Sequence, residues 1–197
     1  MTPDLQPPAT TIAALVVGLD DSRLDDPTPC THYTIRDLLS HLVGLTAAFR
    51  AAGRKELGVL TETAPGAEMP PLGADWRTVL PRQLDELVET WHEPDAWTGV
   101  TQAGGVTLPA EIMGLVAHNE LVLHGWDLAR ALGRDYTVDP ANLETSLAFL
   151  TPAPDAEDTP DEQALFARPL PVPADAPLLD RVVALAGRAP TWQPSKA

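Results

Sequence analysis

Glu120 and His124 stand four residues apart in a stretch whose apolar residues recur at helical spacing. A residue advances about 100° around a helix, so both side chains leave the same face one turn apart and can share one ion. Met113, Val116, Ala117 and Leu128 lie on that stripe, which marks it as the buried one. An ionised carboxylate there costs several kcal/mol unless a cation or hydrogen bonds compensate it. His41 has a similar setting, with Leu38, Leu42, Leu45 and Phe49 on its side of another helical segment. Two imidazoles and one carboxylate are a common ligand set for a divalent metal. Three protein ligands also leave a position open for water or substrate, as in catalytic zinc sites. With neutral histidines the site would carry roughly one positive charge, which draws an anionic substrate or a thiolate. The donor types suit zinc, nickel or iron alike.

Each residue taken singly has a plainer account. A histidine on a helix face can be a hydrogen-bonded core residue, and Glu and His at this spacing can form an intrahelical pair. His118 lies about 200° around the helix from Glu120 and is expected at the surface or in packing, outside the site. His32 and His92 are assigned no role. Asp127 is placed either to orient the His124 ring or to pair with Arg130 or Arg134. Asp37 has the same choice between His41 and an N-terminal cap. Cys30 serves as ligand or nucleophile only if its linker folds over the site, and otherwise as a small packing residue.

The elements that must hold these residues follow from periodicity and its interruptions. Ile12, Leu15, Val16 and Leu19 predict a first helix from about Thr11, ending in the acidic run Asp20 to Asp26. Pro27 to Thr31 reads as a linker, because each proline disfavours the helical region for its predecessor. Thr34 with Asp37 three positions on predicts a capped second helix from Ile35 to Arg54. Gly58 to Asp75 is rich in glycine and proline and reads as a long loop over the site. A third helix is predicted over Trp76 to His92, and Trp97 to Thr107 with its Gly104-Gly105 pair suggests an extended turn or hairpin. Pro109 suits the first turn of a helix that runs to Leu132 and closes at Gly133. Shorter helices are expected over Pro140 to Leu150 and Leu178 to Ala186, with Thr151 to Pro177 irregular between them. Residues 1–150 are thus expected to form one helical bundle carrying the site, and 151–197 a proline-rich tail with a short helix packed on it.

Bulk properties exclude several function classes. With 28 acidic against 13 basic residues and a net charge of −15, a nucleic-acid backbone or an anionic membrane is an unfavourable partner. The single cysteine rules out an intrachain disulfide. No apolar run is long enough to span a bilayer and no secretory leader is evident, so a cytoplasmic location is expected.

Pro27-Thr28-Pro29-Cys30, the run Thr34 to Leu42 and the run Glu120 to Ala129 resemble the actinobacterial branch of the DinB-like superfamily. That branch includes mycothiol-dependent maleylpyruvate isomerase. Pro171-Val172-Pro173, Leu178 to Arg181 and Gly187-Arg188-Ala189-Pro190 resemble the tail of its metal-binding members. The resemblance implies a mainly α four-helix bundle of up-down-down-up type with a divalent metal, often zinc, on His41, Glu120 and His124. It also implies a low-molecular-weight thiol such as mycothiol, activated as thiolate in S-transfer or isomerisation of a small electrophile. A short proline-rich tail stands where the isomerase has a larger domain with a catalytic arginine, so the expectation is thiol chemistry on another substrate. Two rivals remain open: a non-catalytic protein that holds the metal or a small ligand, and a metal-free bundle in which Glu120 pairs with a histidine.

Overall fold

The computed structural model describes residues 2–31, 33–63, 70–151 and 167–194. Helix α1 runs Gln6–Val16, one turn earlier than the apolar spacing indicates, because Pro7 and Pro8 occupy the first helical positions, where no N–H is needed. Helix α2 runs Ile35–Arg54 as expected. Its start is fixed by a capping box: Thr34 Oγ1 accepts from the Asp37 N–H at 3.3 Å and Asp37 Oδ2 accepts from the Thr34 N–H at 3.0 Å. Asp37 therefore serves the capping box at the third helical position, with Thr34 as the N-cap.

The linker before α2 closes on itself. The buried Thr28 hydroxyl bonds the carbonyls of Cys30 and Tyr33 at 3.0 and 2.8 Å, and Pro27 bridges Thr34. The stretch expected as a loop over 58–75 contains a short helix α3, Val59–Glu62, and its residues 64–69 lie outside the described ones. Four residues are too few to show a helical period. Helix α4 spans Trp76–His92. A hairpin follows, β1 Val100–Ala103 antiparallel to β2 Val106–Pro109. Gly104 and Gly105 turn it with φ of 60° and 73°, the conformation a two-residue loop of this kind requires. Helix α5 covers Ala110–Ala131, so Pro109 ends the strand instead of lying in the helix's first turn. Helices α6, Pro140–Leu150, and α7, Leu178–Leu185, complete the chain, and residues 152–166 of the expected irregular tail are outside the described ones.

Helices α1, α2, α4 and α5 form the bundle, with α4 and α5 each packed on both α1 and α2. Side-chain pairs give the directions. Thr46 meets Gln83, Arg50 pairs with Glu86 and Arg54 meets Thr90, so α2 and α4 run parallel. Asp4 meets His92 while Asp21 meets Arg77, so α1 opposes α4. His41 meets Glu120, while Gly53 and Gly114 both lie against Trp91, so α5 opposes α2. This is the up-down-down-up DinB-like bundle. Its core joins Ile12, Leu38, Leu42, Leu84, Leu87 and Leu121. A second cluster joins Val122, Leu123 and Trp126 of α5 with Leu143 of α6 and Val182 and Val183 of α7, α7 packing on α6 and α6 on α5. Trp97 is packed on Trp91, with ring centroids 4.9 Å apart, and Trp192 is partly buried against both clusters. No described helix is long and apolar enough to cross a membrane.

Candidate metal centre

His41 comes from α2, and Glu120 and His124 come from successive turns of α5. Because the two helices are antiparallel neighbours, the side chains converge. Glu120 Oε2 lies 3.1 Å from His124 Nε2 and 3.4 Å from His41 Nε2. One donor atom from each residue falls within 4.8 Å of the other two. Ligands about 2.0–2.1 Å from one tetrahedral ion are separated from each other by roughly 3.3 Å, the spacing that Glu120 Oε2 already keeps to each histidine nitrogen. Side-chain exposure falls from 28% at His41 through 16% at Glu120 to 7% at His124, which puts the mouth of the centre on the His41 side.

The electrostatics are those of a compensated buried anion. Burial pushes the Glu120 carboxyl up, yet hydrogen bonds from His124 and His41 outweigh it and hold the group well below the usual carboxylate range. Burial likewise opposes charge on His124, but Asp127 and Glu120 on either side of the ring raise it to about 9. A proton is thus held where a cation would also be favourable.

Asp127 is fully buried and is not paired with Arg130 or Arg134. Its Oδ2 accepts from His124 Nδ1 at 3.0 Å and from Arg188 Nη2 at 3.1 Å. Arg130 points elsewhere, donating to the Trp192 carbonyl at 2.6 and 3.2 Å. With its Nδ1 bonded to a carboxylate, His124 presents Nε2 to the centre, the arrangement typical of metal-ligating histidines.

The family model for the mycothiol maleylpyruvate isomerase N-terminal domain matches residues 5–129, which include all three triad residues and Asp127. The chain belongs to that family. Similar proteins include an uncharacterized protein of Mycobacterium tuberculosis, 25% identical over 181 residues, covering 89% of this chain and 91% of the relative. A second uncharacterized protein of that organism is 32% identical over 151 residues, covering 66% of this chain and 55% of the relative. The crystal structure of the mycothiol-dependent maleylpyruvate isomerase superposes with a TM-score of 0.54 at 17% identity. The likeness covers 75% of this chain and 66% of the isomerase, and at that identity it establishes the fold.

Two residues at this family member's centre escape a reading of the sequence. Tyr33 lies one position before the cap of α2, and its ring sits 5.4 Å from that of His41 at 51°. Burial, with Cys30 and Glu120 nearby, raises its phenol, so Tyr33 keeps its proton and remains a donor beside the mouth. Arg188 lies beyond the family match, in the Gly187 to Pro190 run, and nothing in its spacing points to a partner 61 residues away. Cys30 is half-buried in the Tyr33 loop, close enough for its charged form to influence both Tyr33 and Arg188. The linker therefore folds against the centre. His92 pairs with Asp4 at 3.4 Å, away from the site, and His32 lies outside the described residues. His118 is fully buried on the opposite side of α5, not at the surface, and burial lowers it to about 4.

Proposed function

We propose that the chain binds one divalent metal, zinc in the first instance, through His41, Glu120 and His124, and uses it with a low-molecular-weight thiol of the mycothiol type. The reaction is S-transfer or isomerisation of a small electrophile. The observation that carries this reading is the convergence of two Nε2 atoms on one carboxylate oxygen at 3.1 and 3.4 Å, with exposure greatest at His41. The metal when bound supplies Lewis acidity, lowering the pKa of a thiol at the open position. The chain's own residues do the rest. Glu120 would neutralise part of the ion's charge, Asp127 holds the His124 ring in place, and the Tyr33 ring borders His41 at the mouth. The family supports mycothiol as the thiol, and the electrophile is a small molecule other than a nucleic acid or a membrane.

One observation favours a rival: Glu120 is already hydrogen-bonded to both histidines, so the triad is satisfied without an ion. Elemental analysis of protein purified without added metal separates the readings. One equivalent of metal, lost in His41→Ala, is expected here, and no metal in the wild type would leave the rival standing. Calorimetric titration of the metal-loaded protein with mycothiol then tests the thiol. A missing heat of binding there would reduce the role to metal or small-ligand binding.

A further inference from the structure

Asp127 is a fully buried carboxylate one hydrogen bond away from the triad. Left to itself it would be costly to bury and free to rotate, and His124 would lose the acceptor that orients its ring. The missing partner comes from the tail. Arg188, 8% exposed, sets Nη2 at 3.1 Å from the same Asp127 oxygen that receives the His124 Nδ1–H, with Nε farther, at 3.5 Å, from the other oxygen. Its Nη1 donates to the Ala186 carbonyl at 2.8 Å, which fixes the guanidinium plane.

The route that delivers this arginine is also fixed. Helix α7 packs on α6, and its Val182 and Val183 share one apolar cluster with Val122, Leu123 and Trp126 of α5. Gly187 then reverses the chain with φ of 78°, and a Cβ there would stand 2.9 Å from the Arg168 carbonyl oxygen and 2.6 Å from the Ala167 Cβ. Beyond it the Trp192 carbonyl is held by Arg130.

We infer that Arg188 is a positioning residue for the metal centre. It acts through Asp127: by clamping that carboxylate it fixes the His124 ring with Nδ1–H donated outward and Nε2 facing Glu120 and His41. The tail from α7 onward is then a working part of the centre, although the family's matched region ends at residue 129. This inference rests on the metal-binding reading proposed above.

Competition of the full-length protein with a chromogenic chelator for zinc tests it, on the wild type and on Arg188→Met, Arg188→Lys, Asp127→Asn and the Asp127→Asn, Arg188→Met pair. Arg188→Met is expected to lose about 10- to 100-fold in zinc affinity, the usual effect of removing support behind a ligand. Arg188→Lys should recover part of the loss, and the paired variant should bind zinc no worse than Asp127→Asn alone, since both act through one carboxylate. Arg130→Met, which removes the other arginine bond to the tail, should lower the melting temperature and leave zinc affinity within twofold.

A merely structural arginine would lower the melting temperature of metal-free and zinc-loaded protein equally and leave zinc affinity untouched. Wild-type affinity in folded Arg188→Met overturns the inference. Should that variant fail to fold, wild-type affinity in both Arg188→Lys and Asp127→Asn overturns it equally. A wild type that takes up no zinc overturns the metal reading itself, a result distinct from a zinc-binding wild type whose affinity does not depend on Arg188.

Discussion

The two sides of α5 bury polar groups in opposite ways. On one side Glu120, His124 and Asp127 each meet partners from α2, from α5 itself or from the tail, within 3.0 to 3.4 Å. On the other, His118 and Asn119 of α5, with Asn142 and Ser146 of α6, bury polar atoms that have no hydrogen-bond partner among the described residues. The His118 ring lies beside the Asn142 side chain, yet neither ring nitrogen makes a well-formed hydrogen bond among the described residues. An unsatisfied buried polar atom costs about 1–3 kcal/mol, so the second side spends stability and returns no geometry. The first side spends more on desolvation, and every donor it buries is aimed.

That contrast is broken or sharpened by experiment. The largest effect is expected from Glu120→Ala, which removes the anion on which both histidines converge. Zinc affinity should fall by more than the about 10- to 100-fold that losing a residue behind a ligand costs, as read by chelator competition. A loss under tenfold would mean that the aimed side is not a ligand set.

Zinc supplied at about 1,000 times its dissociation constant should stabilise the folded chain by about 4 kcal/mol. For a chain of this size that raises the melting temperature by roughly 8–16 °C in calorimetry, reversed by a chelator. The unpaired side of α5 makes no contribution to this shift, so His118→Leu should show the same increment.

Acidity gives the next largest effect. His124 holds its proton up to about 9, and zinc must displace that proton, so affinity should rise about tenfold per pH unit from 6.5 to 9 and then level off. In metal-free protein the sign is reversed. The folded pKa lies above the unfolded value of 6.5, so the stabilisation is fully present below 6.5 and is lost as pH climbs through 9. Melting temperatures taken with and without zinc across that window check both slopes.

The smallest effect belongs to the side without partners. Ser146→Ala deletes a buried hydroxyl that bonds nothing among the described residues, and should be neutral or stabilising by up to about 1 kcal/mol in urea denaturation. A loss above about 1 kcal/mol would show that the hydroxyl has a partner and that the two sides are more alike than described.

How far the sequence disclosed this molecule depended on the range of the forces involved. The start of α2 was legible because Thr34 and Asp37 cap it locally, whereas the left-handed Lys55 that ends it shows only in the folded backbone. The hairpin turn was legible in Gly104-Gly105, whereas α3 was too short to carry a period. Pro7 and Pro8, which commonly stop helices, here begin one. His41, Glu120 and His124 could be singled out because each puts a polar group on an apolar stripe, a conflict that demands a resolution. Tyr33 and Arg188 raised no such conflict. A tyrosine before a cap and an arginine in a proline-flanked turn look at ease in solvent, and only the folded path of the chain brings them to the centre.

Synthesis order gives the Asp127–Arg188 contact a further meaning. A nascent chain that has reached Ala131 already contains both histidines and both carboxylates of the centre, yet the guanidinium lies 61 residues downstream of the aspartate it neutralises. Until α7 is made and docks, the interior holds an anion awaiting its counterion. The segment that carries the triad is therefore translated in full before the arginine that neutralises Asp127 exists.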